Sequence, residues 1–117
     1  MTRFTAAEHV RKRADFELIY KTGLKRSGRL MTMFTREREA GDARPARLGI
    51  AATRKMGAAV ERNRAKRLVR EVFRHHKPAG AVDVVVVPRR EILDAPYERL
   101  ESEFTYLLAK LRKPVNA

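Results

Sequence analysis

The stretch 54–77 carries nine basic side chains and two acidic ones, a local charge of +7 in a chain of 117 residues whose net charge is +13. Within it Asn63, Lys66, Arg67, Arg70, Arg74 and Lys77 recur at helical spacing on one arc, with Arg64 at the edge. Arg62 falls on the apolar side of the same wheel and reaches the cationic face only by snorkelling around the helix start. The chemistry open to such a row is phosphate recognition. A guanidinium fork grips phosphate through two parallel hydrogen bonds, and each neutralised phosphate releases counterions. Arg54, Lys55 and Gly57 stand just before the helix, where the free N–H groups of a first turn add anion affinity. A merely solvated face would interleave Glu with Lys at i,i+4, and acids are scarce here. The helix therefore reads as a polyanion-binding surface that does not by itself separate RNA from DNA.

Hydrolysis by the chain itself is not supported. A protein nuclease needs a positioned base or a carboxylate cluster able to hold two metals. His9 lies among polar residues near the N-terminus, and the adjacent His75 and His76 point about 100° apart on a helix. Glu98, Glu101 and Glu103 read as the solvated outer face of the last helix, Asp83 as a strand-edge residue and Asp94 as a helix-start residue. The absence of cysteine excludes disulfides, thiolate nucleophiles and Cys-ligated zinc. No apolar run approaches the roughly 20 residues of a membrane span, and residues 1–13 lack the apolar stretch of a secretory signal. The apolar arc of the basic helix is committed to a sheet, which disfavours membrane-surface attachment. A cytoplasmic protein is expected.

The elements that must position these residues follow from periodicity and punctuation. A helix over 13–23 starts near Asp15 and stops at Gly23. Strands over 30–36 and 48–53 are expected to form a hairpin through the Gly-, Asp- and Pro-containing loop 39–45. The basic helix spans about 58–76 and buries Ala65, Leu68, Val69, Val72 and Phe73; Pro78 and Gly80 end it. The valine run 83–88 reads as a buried central strand. After Asp94 and Pro96, the residues Leu100, Phe104, Leu107, Leu108 and Leu111 have the period of a packed helix. One α+β domain over 1–117 is expected, with ends at about 1–8 and 113–117 loosely held. Phe16, Ile19 and Tyr20 share a helical face, and such a trio more often packs a core than presents a platform. Phe73 and Phe104 are assigned to the core, and Phe4 lies too near the terminus to assign.

The spacing in 54–74 of Arg54, Lys55, Gly57, Arg62, Asn63, Arg64, Lys66, Arg67, Arg70, Phe73 and Arg74 closely resembles the Arg-Asn-Arg motif of the bacterial ribonuclease P protein subunit. Asp15, Phe16, Tyr20 and Gly23 resemble that family's first helix, Arg29 and Phe34 its next strand, and Val87 with Pro88 the end of its last strand. The resemblance covers about nine-tenths of the chain, with one departure at Ala58, where the family commonly has Asn. It implies an α/β sandwich: a mixed four-stranded sheet packed by helices, with a left-handed β-α-β crossover around the basic helix. General handedness rules would give the opposite hand.

The resemblance further implies a ribonucleoprotein endonuclease whose RNA subunit is the catalyst. That enzyme removes the 5′ leader of precursor tRNA and leaves a 5′-phosphate, with Mg2+ held mainly by the RNA and none required by the protein alone. By resemblance, Arg62, Asn63, Arg64, Lys66, Arg67, Arg70 and Arg74 face the catalytic RNA. Phe16, Tyr20 and Phe34 line a leader cleft, with Arg54 and Lys55 adding charge. The implied partners are the catalytic RNA and precursor tRNA, with no DNA and no membrane. The alternative is a ribosomal-protein-like RNA binder without an enzymatic partner. It shares the basic helix but leaves the upstream aromatics unexplained. A DNA-binding module would want a compact helix-turn-helix in place of the strand-rich segment before this helix.

Overall fold

The computed structural model describes residues 6–39 and 41–112. The first helix, α1 (Arg13–Thr22), ends where the Gly23 N–H donates to the Ile19 carbonyl at 2.8 Å. Gly23 is required by space: a Cβ there would lie 2.6 Å from the carbonyl oxygens of Ile19 and Thr35. The chain then enters β1 (Leu24–Ser27), a strand absent from the sequence reading. Its four residues are all exposed and polar but for Leu24, so no alternation marks it. β2 (Met31–Glu37), β3 (Arg47–Ile50), α2 (Ala59–His75), β4 (Val82–Pro88) and α3 (Tyr97–Leu111) complete the α+β domain.

The four strands form one mixed sheet in the order β1-β2-β4-β3. β2 pairs antiparallel with both β1 and β4, whereas β3 runs parallel to β4 through the α2 crossover. The expected hairpin between the second and third strands is therefore corrected. β4 is buried on both faces along most of its length, and only an interior position covers it, so it inserts between β2 and β3. The third strand also ends at Ile50, three residues short of the expected boundary, before a 3-10 turn over Arg54–Met56.

The two faces of the sheet are covered unequally. Met31, Met33, Leu48, Val82, Val84 and Val86 meet Ala65, Val69, Val72 and Phe73 of α2 and Leu100, Phe104 and Leu107 of α3 in the main core. On the other face, among the described residues, the helix α1 crosses and buries a small cluster of Val10, Ile19 and Val85 with Phe16 and Phe34 packed at its rim. The register aligns Phe34, Val85 and Gly49 across three strands of this face. One ten-residue helix cannot cover four strands, so much of this face stays open.

Two acids sit differently from expectation. Asp83 is a buried interior residue, not a strand-edge one: Arg47 grips both its oxygens at 2.8 Å and Arg38 bonds it from the other side. Arg38, itself 7% exposed, also donates to the carbonyls of Arg44 and Pro45, so the triad ties the loop after β2 to β4. Glu103 points inward and accepts the N–H groups of Arg29, Leu30 and Met31 at 2.8–3.0 Å, closing the turn between β1 and β2. The expectation of loose ends falls mostly on residues outside those described, as does Phe4. Within the described part, Ala6–Glu8 form a 3-10 turn and the Val10 N–H reaches the Leu48 carbonyl at 2.9 Å.

Candidate nucleic-acid interface

The start of α2 is built by half of a capping box. Glu61 Oε1 accepts the Ala58 N–H at 2.9 Å, but Ala58 has no side-chain acceptor to return the bond to the third helical N–H. Gly57, at φ 144°, adopts backbone that favours glycine, and Arg90 Nη1 lies 2.8 Å from where its Cβ would stand. Arg90 donates to the Met56 carbonyl at 2.7 Å and Arg62 donates to the Gly57 carbonyl at 2.8 Å. Arg62 thus braces the entry to the helix, which is how a residue on the apolar arc places its charge.

Along the rest of the helix the cations divide into two groups. Asn63, Arg64, Arg67 and Arg70 are exposed and Lys66 is half-buried. Among the described residues none of Arg64, Lys66, Arg67 and Arg70 is paired with a carboxylate. The last turn is different. Glu71 pairs with Arg74 and, at 2.9 Å, with His75, and these hydrogen bonds from His75 and then Arg74 hold its carboxyl below the usual range. Lys77 reaches Glu8 at 2.8 Å and His76 reaches Glu101 at 2.8 Å. The free row is therefore the first two-thirds of the cationic arc, and Arg74 contributes to it only with its charge offset.

The aromatic trio is brought together on the open face. Phe16 and Tyr20 stand 6.2 Å apart between ring centroids, and Tyr20 meets Phe34 edge-on at 4.8 Å. Ile19 is wholly buried and Phe16 and Phe34 are half-buried, while Tyr20 keeps 39% of its surface open. The rings thus serve as core on one side and as platform on the other. Phe16 sits so close over β3 that a Cβ on Gly49 would lie 2.8 Å from two of its ring carbons. Burial pushes the Tyr20 hydroxyl above its ordinary pKa, so it stays a neutral donor at physiological pH.

Lys25, missed in the sequence because β1 was missed, lies over the Phe34 ring at 5.7 Å. Ser27 and Thr32 add paired hydroxyls on the same face, 3.1 Å apart. Arg54 and Lys55 are exposed on the 3-10 turn between β3 and α2.

The two groups meet at the outer edge of β3. There a hollow of about 240 Å³ is lined by His9, Val10, Phe16, Leu48, Ile50, Lys66 and Arg70. Burial, then the charges of Arg11 and Arg70, hold His9 below its ordinary value. Among the described residues no group of three or more His, Asp or Glu side chains could hold a metal ion, and no helix is long and apolar enough to cross a membrane. A half-open aromatic floor adjoining a row of unpaired cations can stack bases on one surface while gripping phosphates on the other.

The family model described as Ribonuclease P matches residues 4–112. The ribonuclease P protein component of Staphylococcus epidermidis is 34% identical over 111 residues, which cover 94% of each chain. That of Thermotoga maritima is 40% identical over 101 residues, covering 84% of this chain and 82% of the relative. Among solved structures, the Staphylococcus aureus RNase P protein superposes with a TM-score of 0.76 at 34% identity, covering 93% of this chain and 98% of that one. The Thermotoga maritima protein gives 0.76 at 32% identity, covering 90% and 98%. A mixed four-stranded sheet with three helices, a cationic crossover helix and this agreement in sequence have one reading: the chain belongs to the ribonuclease P protein family.

Proposed function

We propose that this chain is the protein component of ribonuclease P, the ribonucleoprotein that matures tRNA 5′ ends, and that it works by holding two RNAs at once. Arg64, Lys66, Arg67 and Arg70, with Asn63, dock the catalytic RNA. The face carrying Phe16, Tyr20, Phe34 and Lys25 receives the single-stranded 5′ leader of precursor tRNA. The RNA-borne reaction then cuts between leader and tRNA and leaves a 5′-phosphate. The observation that carries this reading is the adjacency of the two surfaces: Phe16 lines the same hollow as Lys66 and Arg70. In this reading the Mg2+ ions of the reaction are held mainly by the RNA. The protein contributes position and charge, and the work belongs in the cytoplasm beside newly made tRNA.

Reconstitution tests this. The chain is combined with a bacterial ribonuclease P RNA and a precursor tRNA at low magnesium, and 5′ processing is followed. Processing should rise with the protein present, and protein alone should cut nothing. In the same system Tyr20→Ala should cost about 1–3 kcal/mol in affinity for leader-bearing precursor, the range of a base–aromatic stack, while mature tRNA binding barely moves. RNA binding without stimulation of cleavage would favour the ribosomal-protein-like alternative. Equal losses for both ligands would remove the leader from this face.

A further inference from the structure

We infer that a leader longer than the aromatic cleft continues around the edge strand β1 and stacks a 5′-distal base on Tyr106, on the opposite side of the domain. This rests on the leader-cleft reading above. β1 is the free edge of the sheet, and its side chains alternate between the two faces. Lys25, opposite Phe34, lies over that ring on the cleft side, whereas the next residue, Arg26, opposite the core residue Met33, turns towards α3. There its guanidinium lies 5.8 Å from the Tyr106 ring, and Lys110 lies 5.5 Å from the same ring.

Tyr106 is 52% exposed, more open than Tyr20, and it borders a hollow of about 670 Å³ whose lining includes Pro96, Arg99 and Ser102. Among the described residues Arg26, Arg99 and Lys110 have no carboxylate partner, and the Glu103 carboxylate is taken up by three backbone N–H groups. Glu98 is the other acid lining this hollow, and it is exposed. The pattern of the cleft, an open ring flanked by unpaired cations, thus recurs one residue further around the edge. Strand RNA fits this arrangement: its bases unstack one at a time, and its phosphates follow the consecutive cations Lys25 and Arg26.

The test uses the reconstituted holoenzyme with precursors bearing leaders of about 4 and about 12 nucleotides, lengths that bracket single-strand platforms. Tyr106→Ala should weaken binding of the long-leader precursor about fivefold, the low end for one stacked base, and leave the short-leader precursor unchanged. Tyr106→Phe should restore the long-leader affinity. Equal effects on both precursors, or no effect on either, overturn the inference; the latter would leave the patch to a protein partner.

Tyr20→Ala is run in parallel. If it weakens both precursors while Tyr106→Ala weakens neither, the wrap alone fails. If Tyr20→Ala also does nothing, the cleft reading falls and takes the wrap with it. A photoreactive uridine at the 5′ end of the long leader, used with the unaltered chain, gives a readout independent of any substitution. Crosslinks should map to the α3 peptide, and crosslinks confined to α2 would refute the path.

Discussion

Replacing Asp83 by Asn should destabilise the domain more than any change on its cationic surface. Asp83 is 1% exposed, and the side chains of its partners Arg38 and Arg47 are 2% and 12% exposed. Solvent therefore screens little of the interaction, and neutralising the carboxylate leaves two guanidinium groups inside the fold without their anion. Breaking a buried pair in this way costs about 3–5 kcal/mol. That is a large fraction of the roughly 5–15 kcal/mol that holds such a domain together. The midpoint of a thermal melt followed by circular dichroism should fall by roughly 12–30 °C. Arg44→Ala, which removes an exposed pair with Asp42, serves as the control and should cost at most about 1 kcal/mol.

The pH dependence gives a second reading of the same site. Burial opposes ionisation of Asp83, but the hydrogen bonds from Arg47 and Arg38 outweigh it and hold its carboxyl below the ordinary value. A depressed carboxylate contributes stability that is fully present above its unfolded pKa, about 3.9, and is lost as pH falls through the lower folded value. The parent protein should therefore lose stability on that acid limb, and the Asn variant should show a shallower one. A loss below about 1 kcal/mol together with an unchanged acid limb would refute the reasoning, because it would mean the triad is hydrated in solution.

Three further outcomes follow from local geometry. Ala58→Asn should complete the capping box that Glu61 already half forms and raise stability by about 1 kcal/mol, read as a higher urea midpoint at unchanged slope. Gly49→Ala places a methyl 2.8 Å from Phe16 ring carbons and 3.0 Å from Val10 Cβ, so it should cost about 1–3 kcal/mol in the same assay and weaken leader binding. Arg62→Ala should lower stability by about 1–2 kcal/mol through the lost bond to the Gly57 carbonyl, while the salt dependence of RNA binding stays put.

The helices and the valine strand were legible because each depends on local periodicity. The apolar arc Ala65, Val69, Val72 and Phe73 and the cationic arc opposite it are properties of one helix, and both stand in the structure as the spacing implies. What was not legible depends on contacts distant in the chain. β1 is a strand because β2 lies beside it; its own residues, Lys25 to Ser27, look like a polar loop. Glu103 turns inward because three N–H groups more than seventy residues away need an acceptor. Asp83 sits in a valine run as a charge, and only Arg38 and Arg47, separated from it by 45 and 36 residues, make that position tolerable. The hairpin expectation failed for the same reason: strand order is decided by which strand must be covered on both faces, not by which strands are consecutive. The candidate site was legible in its residue types, and the offset of Arg74 and His75 by Glu71 is an i,i+3 and i,i+4 pairing that the helical wheel contains, whereas the pairing of Lys77 with Glu8 is not local and could not be read from it.

The central claim is that unpaired cations on α2 carry the docking of this protein onto the catalytic RNA, and the salt dependence of that binding tests it most directly. The affinity of the full chain for ribonuclease P RNA is measured across a salt series, for the parent and for the combined Arg67→Ala and Arg70→Ala variant. The logarithm of the affinity should fall linearly with the logarithm of salt concentration, and the variant's slope should be shallower by about two counterions. An unchanged slope, with the variant still folded, would mean that those side chains face away from the RNA and that the row does not dock it.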